Sequence, residues 1–128
     1  MKRGGILHPA LCHLLASTGH TDYFTVCDRG FPVPTGPERI DLAVVDGIPT
    51  VLDVLRAIYA EWSIDRVLVT EEMTAVSPQR VSELTELLGN VPLESISHLE
   101  LKRLASTARA TVRTGDTVPY ANIIVVSG

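Results

Sequence analysis

Two of the four histidines occupy positions suited to acid–base chemistry. His20 lies just beyond a predicted helix, where the negative end of the helix dipole favours the imidazolium form. A histidine so placed is a competent general acid near neutral pH, although it could instead only cap free helix carbonyls. His98 follows Ser97, a helix-starting residue type, and could also be a surface residue of the first turn. His8 and His13, at the N-cap and on the polar side of the first helix, are interpreted as structural.

A second group of polar residues is suited to holding a polyol. Asp28 directly follows a predicted strand, and its carboxylate can accept hydrogen bonds from hydroxyls or from the backbone N–H groups of an Asx turn. Tyr120 and Asn122 carry a hydroxyl and an amide two residues apart, so they share one side if the chain is extended there. They could also be an ordinary entry into a strand. Taken singly, each residue is explained by local structure as well as by ligand binding.

Three further carboxylates have both a possible chemical role and a purely structural explanation. Glu71 and Glu72 could form an acid–base pair, but neighbours on an extended chain face opposite ways, so at most one faces a given site. Their alternatives are a solvated loop or charges at a helix N-terminus. Asp22 could orient the histidine two residues before it, or simply end the loop before the next strand.

Composition excludes several classes of protein. The chain has 128 residues, of which 45% are hydrophobic and 20% charged, enough for one domain with its own core. A net charge of −4 without a basic cluster argues against nucleic-acid binding, and no apolar stretch reaches the about 18 residues of a membrane span. The histidines and cysteines lack metal-ligand spacing, so we expect no metal and no other cofactor. Cys12 and Cys27 are predicted to be buried free thiols, and the protein to be cytoplasmic.

Helix and strand patterns alternate along the chain. Apolar residues at helical spacing predict helices, and continuous apolar or β-branched runs predict strands. The predicted helices cover residues 9–18, 49–61, 77–88 and 98–104, and the predicted strands cover residues 23–27, 40–45, 66–70, 93–96, 110–113 and 122–126. This alternation indicates an α/β fold, a single domain over residues 1–128. We expect three α/β/α layers around a central, largely parallel (mixed) sheet of about six strands.

The same pattern indicates where a ligand would bind. In such sheets ligands collect at the carboxyl ends of the strands. Asp28, the Glu71-Glu72 pair, the Ser97-His98 junction and residues 114–120 all follow predicted strands. We therefore expect the binding site to lie among them.

Several segments form, in this order, a specific combination. The most distinctive are Gly19-His20-Thr21-Asp22, Gly30-Phe31-Pro32-Val33-Pro34 and Pro119-Tyr120-Ala121-Asn122, and further matches along almost the whole chain include Cys27-Asp28, Arg39-Ile40-Asp41-Leu42 and His98-Leu99-Glu100-Leu101-Lys102. The sequence resembles the family of D-ribose pyranase and L-fucose mutarotase, the small sugar mutarotases of bacterial ribose and fucose uptake. It is more similar to the ribose branch. One departure is Arg29, where the family usually has a small residue.

The resemblance implies a reaction and a set of residues that perform it. His20 would be the proton donor. Lys102, four residues past His98 on the same helix face, would support His98. The sugar would be bound by Asp28, His98, Tyr120, Ala121 and Asn122. The implied reaction interconverts the β-pyranose and β-furanose forms of D-ribose by general acid/base ring opening and closure, without a cofactor. Alternatives are a mutarotase of L-fucose or another monosaccharide, and a non-catalytic sugar-binding accessory protein of ribose uptake.

The resemblance also implies an assembly. It predicts a cytoplasmic homo-oligomer, a homodecamer of two stacked pentameric rings, whose active sites lie where neighbouring subunits meet. The expected partners are therefore a monosaccharide and further copies of the chain, with no nucleic acid and no membrane.

Overall fold

The structure is a computed structural model that describes all 128 residues. Its helices are α1 (Pro9–Ser17), α2 (Val51–Tyr59), α3 (Glu71–Val76), α4 (Pro78–Leu88) and α5 (His98–Ala105). Its strands are β1 (Tyr23–Cys27), β2 (Glu38–Asp41), β3 (Ile64–Thr70), β4 (Leu93–Ile96), β5 (Ala110–Arg113) and β6 (Ile123–Ser127). Local signals start the helices as expected, since the ring of His8 accepts the Leu11 N–H at α1. No helix has the length and apolar character that crossing a membrane requires.

All six strands form one sheet in the order β2-β5-β1-β6-β3-β4. Strand β6 runs antiparallel to both of its neighbours, and every other pairing is parallel. Five strands therefore end at one edge of the sheet, the edge at which β6 begins, and we call it the carboxyl edge. The predicted α/β fold with a largely parallel, mixed, six-stranded sheet is confirmed.

Helices cover the two faces of this sheet. Because side chains of a strand alternate between faces, Phe24 and Val26 of β1 join a core of 23 buried residues with side chains of α1, α2 and α4. On the opposite face, Cys27 of β1 packs in a second core with Leu101 and Ala105 of α5. The alternating burial of both faces produces the three predicted layers.

The two cysteines are free thiols. Cys27 is buried as predicted, whereas Cys12 is only half-buried. Burial, followed by the nearby charge of Asp28, raises the pKa of the Cys27 thiol to about 12. This thiol is therefore protonated and inert at neutral pH.

The predicted strand at residues 40–45 is wrong at both ends, since β2 occupies Glu38–Asp41. Its neighbour β5 ends at Arg113, whose carbonyl accepts the Leu42 N–H at 2.8 Å. Beyond that point there is no strand to pair with, so the chain turns back and the Val44 N–H donates to the Ile48 carbonyl at 3.0 Å. The apolar residues of this turn stay exposed, which the pattern alone could not indicate.

Helix α3 is absent from the prediction. Its start is fixed by Thr70, whose hydroxyl accepts the Met73 N–H at 3.0 Å, and Met73 is fully buried in the core. The helix ends at Val76, and its C-cap, Ser77, directly precedes Pro78. Glu71 and Glu72 therefore occupy the first turn of a helix, the second of the two alternatives for this pair.

Candidate active site

A cavity of about 390 Å³ opens at the carboxyl edge of the sheet. Its volume is within the range typical of small-molecule sites, about 300–1,000 Å³. The lining residues are Asp28, Gly30, Phe31, Pro32, His98, Lys102, Pro119, Tyr120 and Asn122. The fold thus brings together, from three separate stretches of the chain, four of the five residues predicted to bind a sugar, and Lys102 with them.

A larger cleft, of about 570 Å³, lies beside the start of α4. Of its polar residues only Arg80 and Ser77 are buried, and both already hydrogen-bond elsewhere in the chain. The cleft contains no histidine. The smaller cavity is the better candidate because its acid–base and hydroxyl-binding groups are free to meet a ligand.

Asp28 forms the Asx turn that its position allows, and it also lines the cavity. Its Oδ1 accepts the Gly30 N–H at 3.0 Å, which closes the turn. The Asp28 N–H donates to Oδ1 of Asn122 at 2.8 Å. The Asn122 NH₂ group, without a hydrogen-bond partner in the chain, is left to donate to a ligand. Burial raises the pKa of Asp28, although backbone N–H groups of the turn act in the opposite direction.

His98 is the first residue of α5, and its ring lies edge-on between Phe31 and Tyr120, with centroid separations of 6.3 and 5.2 Å. Its Nδ1 is buried without a hydrogen-bond partner in the chain. Burial, and next the charge of Lys102, lower the pKa of His98, outweighing nearby carboxylates such as Glu72. The neutral imidazole, the form that accepts a proton, is therefore favoured.

Tyr120 reaches the cavity by a route that the sequence did not indicate. Its φ of 58° is left-handed, so the extended geometry expected to align it with Asn122 is wrong. A turn places both side chains at the cavity instead, and the Ser77 hydroxyl holds it by donating to the Pro119 carbonyl at 2.8 Å. The side chain of Ala121 is fully buried in the core, so only its backbone is available to a ligand.

Asp116 and Arg80 stabilise the turn that carries Tyr120, and the sequence did not indicate either residue. The two side chains form a buried ion pair, with side-chain exposures of 2% and 6%. Asp116 also accepts the N–H groups of Val51 and Val118, each at 2.9 Å. Its burial acts to raise its pKa, but the hydrogen bonds, from Arg80 above all, outweigh this and lower it. A possible sequence signal was an arginine on the core-facing side of α4.

Arg29, the departure from the family pattern, faces away from the cavity. Its guanidinium pairs with Asp46 at 2.9 Å, and it lines a separate depression of about 200 Å³ beside the turn that follows β2. Arg113 also lines this depression, and its guanidinium pairs with the Asp41 carboxylate at 3.0 Å. Arg29 therefore leaves the shape of the candidate site unchanged.

His20 lies at the opposite edge of the sheet. Strand β1 separates it from Asp28, and five residues at about 3.3 Å each put roughly 15 Å or more between them. The His20 side chain is exposed and makes no hydrogen bond, because the hydroxyls of Ser17 and Thr18 bind the last carbonyls of α1. The capping alternative for His20 is therefore wrong.

Asp22 closes the loop that carries His20. Its Oδ2 accepts the Gly19 N–H at 3.0 Å, and the Thr21 N–H, at a left-handed φ of 68°, donates to the Ser127 carbonyl at 3.0 Å. The alternative in which Asp22 ends the loop thus describes the structure, and Asp22 forms no hydrogen bond or ion pair with the His20 imidazole. Within one chain, the predicted proton donor and the predicted sugar-binding residues do not meet.

No group of three or more His, Cys, Asp or Glu side chains is arranged to hold a metal ion. The chemistry available at the cavity is that of a neutral imidazole, a carboxylate, a phenol, an amide and an ammonium group. Such a set can bind hydroxyl groups and move protons between them.

The model of the RbsD / FucU transport protein family matches residues 1–128, so the chain belongs to that family. The D-ribose pyranase of Coprothermobacter proteolyticus is 43% identical over 128 residues, and that of Laribacter hongkongensis is 41% identical. Each alignment covers 100% of this chain and 98% of the relative.

Solved structures agree with this assignment. Bacillus subtilis RbsD complexed with D-ribose superposes with a TM-score of 0.95 and 37% sequence identity, covering 100% of this chain and 98% of that one. The fucose mutarotase of Streptococcus pneumoniae in complex with L-fucose gives a TM-score of 0.82 over 94% of this chain and 92% of that one. Its 20% identity supports the shared fold alone.

Proposed function

We propose that this chain is a D-ribose pyranase, an isomerase that interconverts the β-pyranose and β-furanose forms of D-ribose. The observation that carries the proposal is the cavity at the carboxyl edge, with Asp28, His98, Tyr120 and Asn122 around it. It occurs in a chain about 40% identical, over its full length, to relatives named D-ribose pyranase.

The reaction makes modest chemical demands. A hemiacetal C–O bond breaks and reforms, and no C–H bond is broken. One group must protonate the ring oxygen as it departs, while another removes the proton of the anomeric hydroxyl. The open aldehyde then rotates and is captured by a different hydroxyl, with the two proton transfers reversed. General acid–base catalysis of this kind contributes roughly 10²–10⁴-fold.

His98 is suited to the role of the base. Its imidazole is held neutral by its surroundings, and Nε2 has no hydrogen-bond partner in the chain, so it is free to take the anomeric proton. Asp28 and the Asn122 amide would bind and orient ring hydroxyls from one side, and Tyr120 from the other. Lys102, four residues past His98 on α5, would keep the base neutral and hydrogen-bond a hydroxyl.

His20 is proposed as the acid, supplied by a second copy of the chain. It is exposed and unpaired at one edge of the sheet, while the cavity opens at the other. Contact between the two edges is head-to-tail. When such a contact is repeated around a closed ring, the cavity of every copy receives a His20 from its neighbour. The homodecamer of two pentameric rings implied by the family resemblance would meet this requirement.

The proposal includes a cytoplasmic place in ribose catabolism. Two free thiols, Cys12 and Cys27, fit a reducing compartment.

The mass of the assembly, measured by light scattering or native mass spectrometry, tests the decamer directly, and a stable monomer with full activity would overturn the shared site.

Proton NMR of sugar at equilibrium tests the function. Saturation transfer between the pyranose and furanose anomeric signals of D-ribose should increase on addition of protein. L-fucose is measured in parallel, and acceleration of fucose anomer exchange without an effect on ribose would reassign the substrate. Line broadening of the ribose signals without faster exchange would replace catalysis by sugar binding.

A further inference from the structure

Glu72 makes an unusual contact with the helix that carries His98. Both carboxylate oxygens of Glu72 accept the backbone N–H of His98, each at 3.1 Å. This N–H belongs to the first residue of α5 and has no partner within the helix. The Ser97 hydroxyl accepts the Glu100 N–H at 3.0 Å, so the first turn is held at two points.

The fold aligns these groups through neighbouring strands. Strands β3 and β4 pair in parallel with Thr70 opposite Ile96. Strand β3 passes directly into α3, and β4 is followed by α5 after the single residue Ser97. The first turns of both helices therefore lie side by side. The negative carboxylate of Glu72 faces the positive end of the α5 dipole, which favours the contact.

The position of α5 determines the shape of the cavity. His98 and Lys102 both line it from this helix, and the ring of His98 fits edge-on between Phe31 and Tyr120. A small shift of the first turn of α5 would move the imidazole relative to the sugar, and a displacement of about 1 Å can cost about a hundredfold in rate.

We propose that Glu72 is a positioning residue of the ring-opening reaction, which clamps the first turn of α5 so that the His98 imidazole stands at the correct place in the cavity. The inference rests on the proposed function for its role in catalysis. It assigns to Glu72 no contact with the sugar, since Glu72 does not line the cavity.

Three variants separate geometry from charge. Glu72→Ala removes the acceptor and the charge, Glu72→Gln keeps one acceptor oxygen and removes the charge, and Glu71→Gln is the matched control. Glu71 is the exposed neighbour in the same helical turn and makes no hydrogen bond through its side chain. We expect Glu72→Ala to slow ring exchange by up to about a hundredfold, Glu72→Gln to restore much of the loss, and Glu71→Gln to match wild type.

A second readout does not depend on any sugar. Four titratable groups face the His98 ring, namely Lys102, Glu72 and Asp28 by their charges, and the Tyr120 phenol by contact. The Glu72 charge raises the pKa of His98, so NMR titration of the imidazole should give a lower pKa in Glu72→Gln than in wild type or Glu71→Gln.

The two readouts fail separately. If wild type does not accelerate exchange of either sugar, the proposed function is wrong, while the imidazole titration still tests the clamp. The clamp is overturned if folded Glu72→Ala has the wild-type exchange rate, or if Glu72→Gln leaves the His98 pKa in place. Should Glu72→Ala fail to fold, Glu72→Leu, which also removes both acceptor oxygens but keeps most of the side-chain volume, takes its place in the comparison of exchange rates.

Discussion

His20 and Asp28 stand at the two ends of the same strand, β1, and so at opposite edges of the sheet. Asp28 faces a cavity, whereas His20 is exposed and makes no hydrogen bond. Because a five-residue strand is rigid on this scale, no rearrangement of side chains can bring the two together within one chain. A site that needs both must be shared between copies.

Complementation between inactive variants tests the shared site. His20→Ala and Asp28→Asn should each be inactive alone, and when unfolded together and refolded in equal amounts they should regain about one quarter of wild-type activity, the share of sites that receive both intact residues. The exchange rate by NMR is the measurement. A mixture of Asp28→Asn with His98→Ala is the control, since both residues belong to one cavity and no intact site can form.

Substitution of His20 tests its role as the acid. His20→Ala should slow exchange between pyranose and furanose by roughly 10²–10⁴-fold, the usual contribution of general acid catalysis. Ribose affinity should change little, because His20 is expected to act on the ring oxygen rather than to hold hydroxyls. Calorimetry and saturation transfer measure the two effects. His13→Ala, an exposed histidine of α1, is the control. A wild-type exchange rate in His20→Ala would refute the assignment.

The pH dependence of the rate reports the His98 base. Its pKa is lowered from 6.5 by burial first and by Lys102 next. A base must be unprotonated, so activity should fall on the acid side with a midpoint below 6.5. Lys102→Met removes a charge that opposes protonation, so its midpoint should lie higher than that of wild type. Rate–pH profiles of both proteins check this, and a midpoint that moves downward in Lys102→Met would contradict it.

Asp116 should be the most costly carboxylate to remove. Asp116→Ala leaves the buried Arg80 guanidinium with only its longer ion pair to the exposed Glu83, at 3.6 Å, which should reduce the free energy of unfolding by about 3–5 kcal/mol. Asp46→Ala breaks an exposed pair with Arg29 and should cost about 0–1 kcal/mol. Denaturant unfolding measures both. The pKa of Asp116 is lower in the folded state than its ordinary value of 3.8. The ionised carboxylate therefore contributes fully to the free energy of unfolding above about pH 3.8, and this contribution is lost as the pH falls through the folded-state pKa. Equal losses in both variants would contradict the assignment.

The strands were the most predictable elements, and for a physical reason. A strand buried on both faces, such as β3 over Val67–Val69, is apolar throughout, and that signal is local. The errors fell where tertiary contacts decide. Residues 42–45 are as apolar as a strand, but the partner strand β5 stops at Arg113. Helix α3 has only six residues, too few for a clear period, and is fixed by burial of Met73.

The candidate site was predictable as a set of residue types and only partly as a geometry. Asp28 and His98 follow strands, and the rule that ligands collect at carboxyl ends placed them together. Tyr120 needed a left-handed backbone and the support of the buried Arg80–Asp116 pair, and neither has a signature within a short window of sequence.

By itself, the sequence determined the alternation of strands and helices, the family motifs and the chemical groups available for proton transfer, since these depend on residue type and local spacing. Contacts between residues far apart in the chain set the order of the strands and the antiparallel direction of β6. They also determine which side chains surround His98. Only the tertiary structure could decide them. It decided in the same way that His20 faces outward from the end opposite the cavity, because the direction of β1 in the sheet sets where each of its ends emerges.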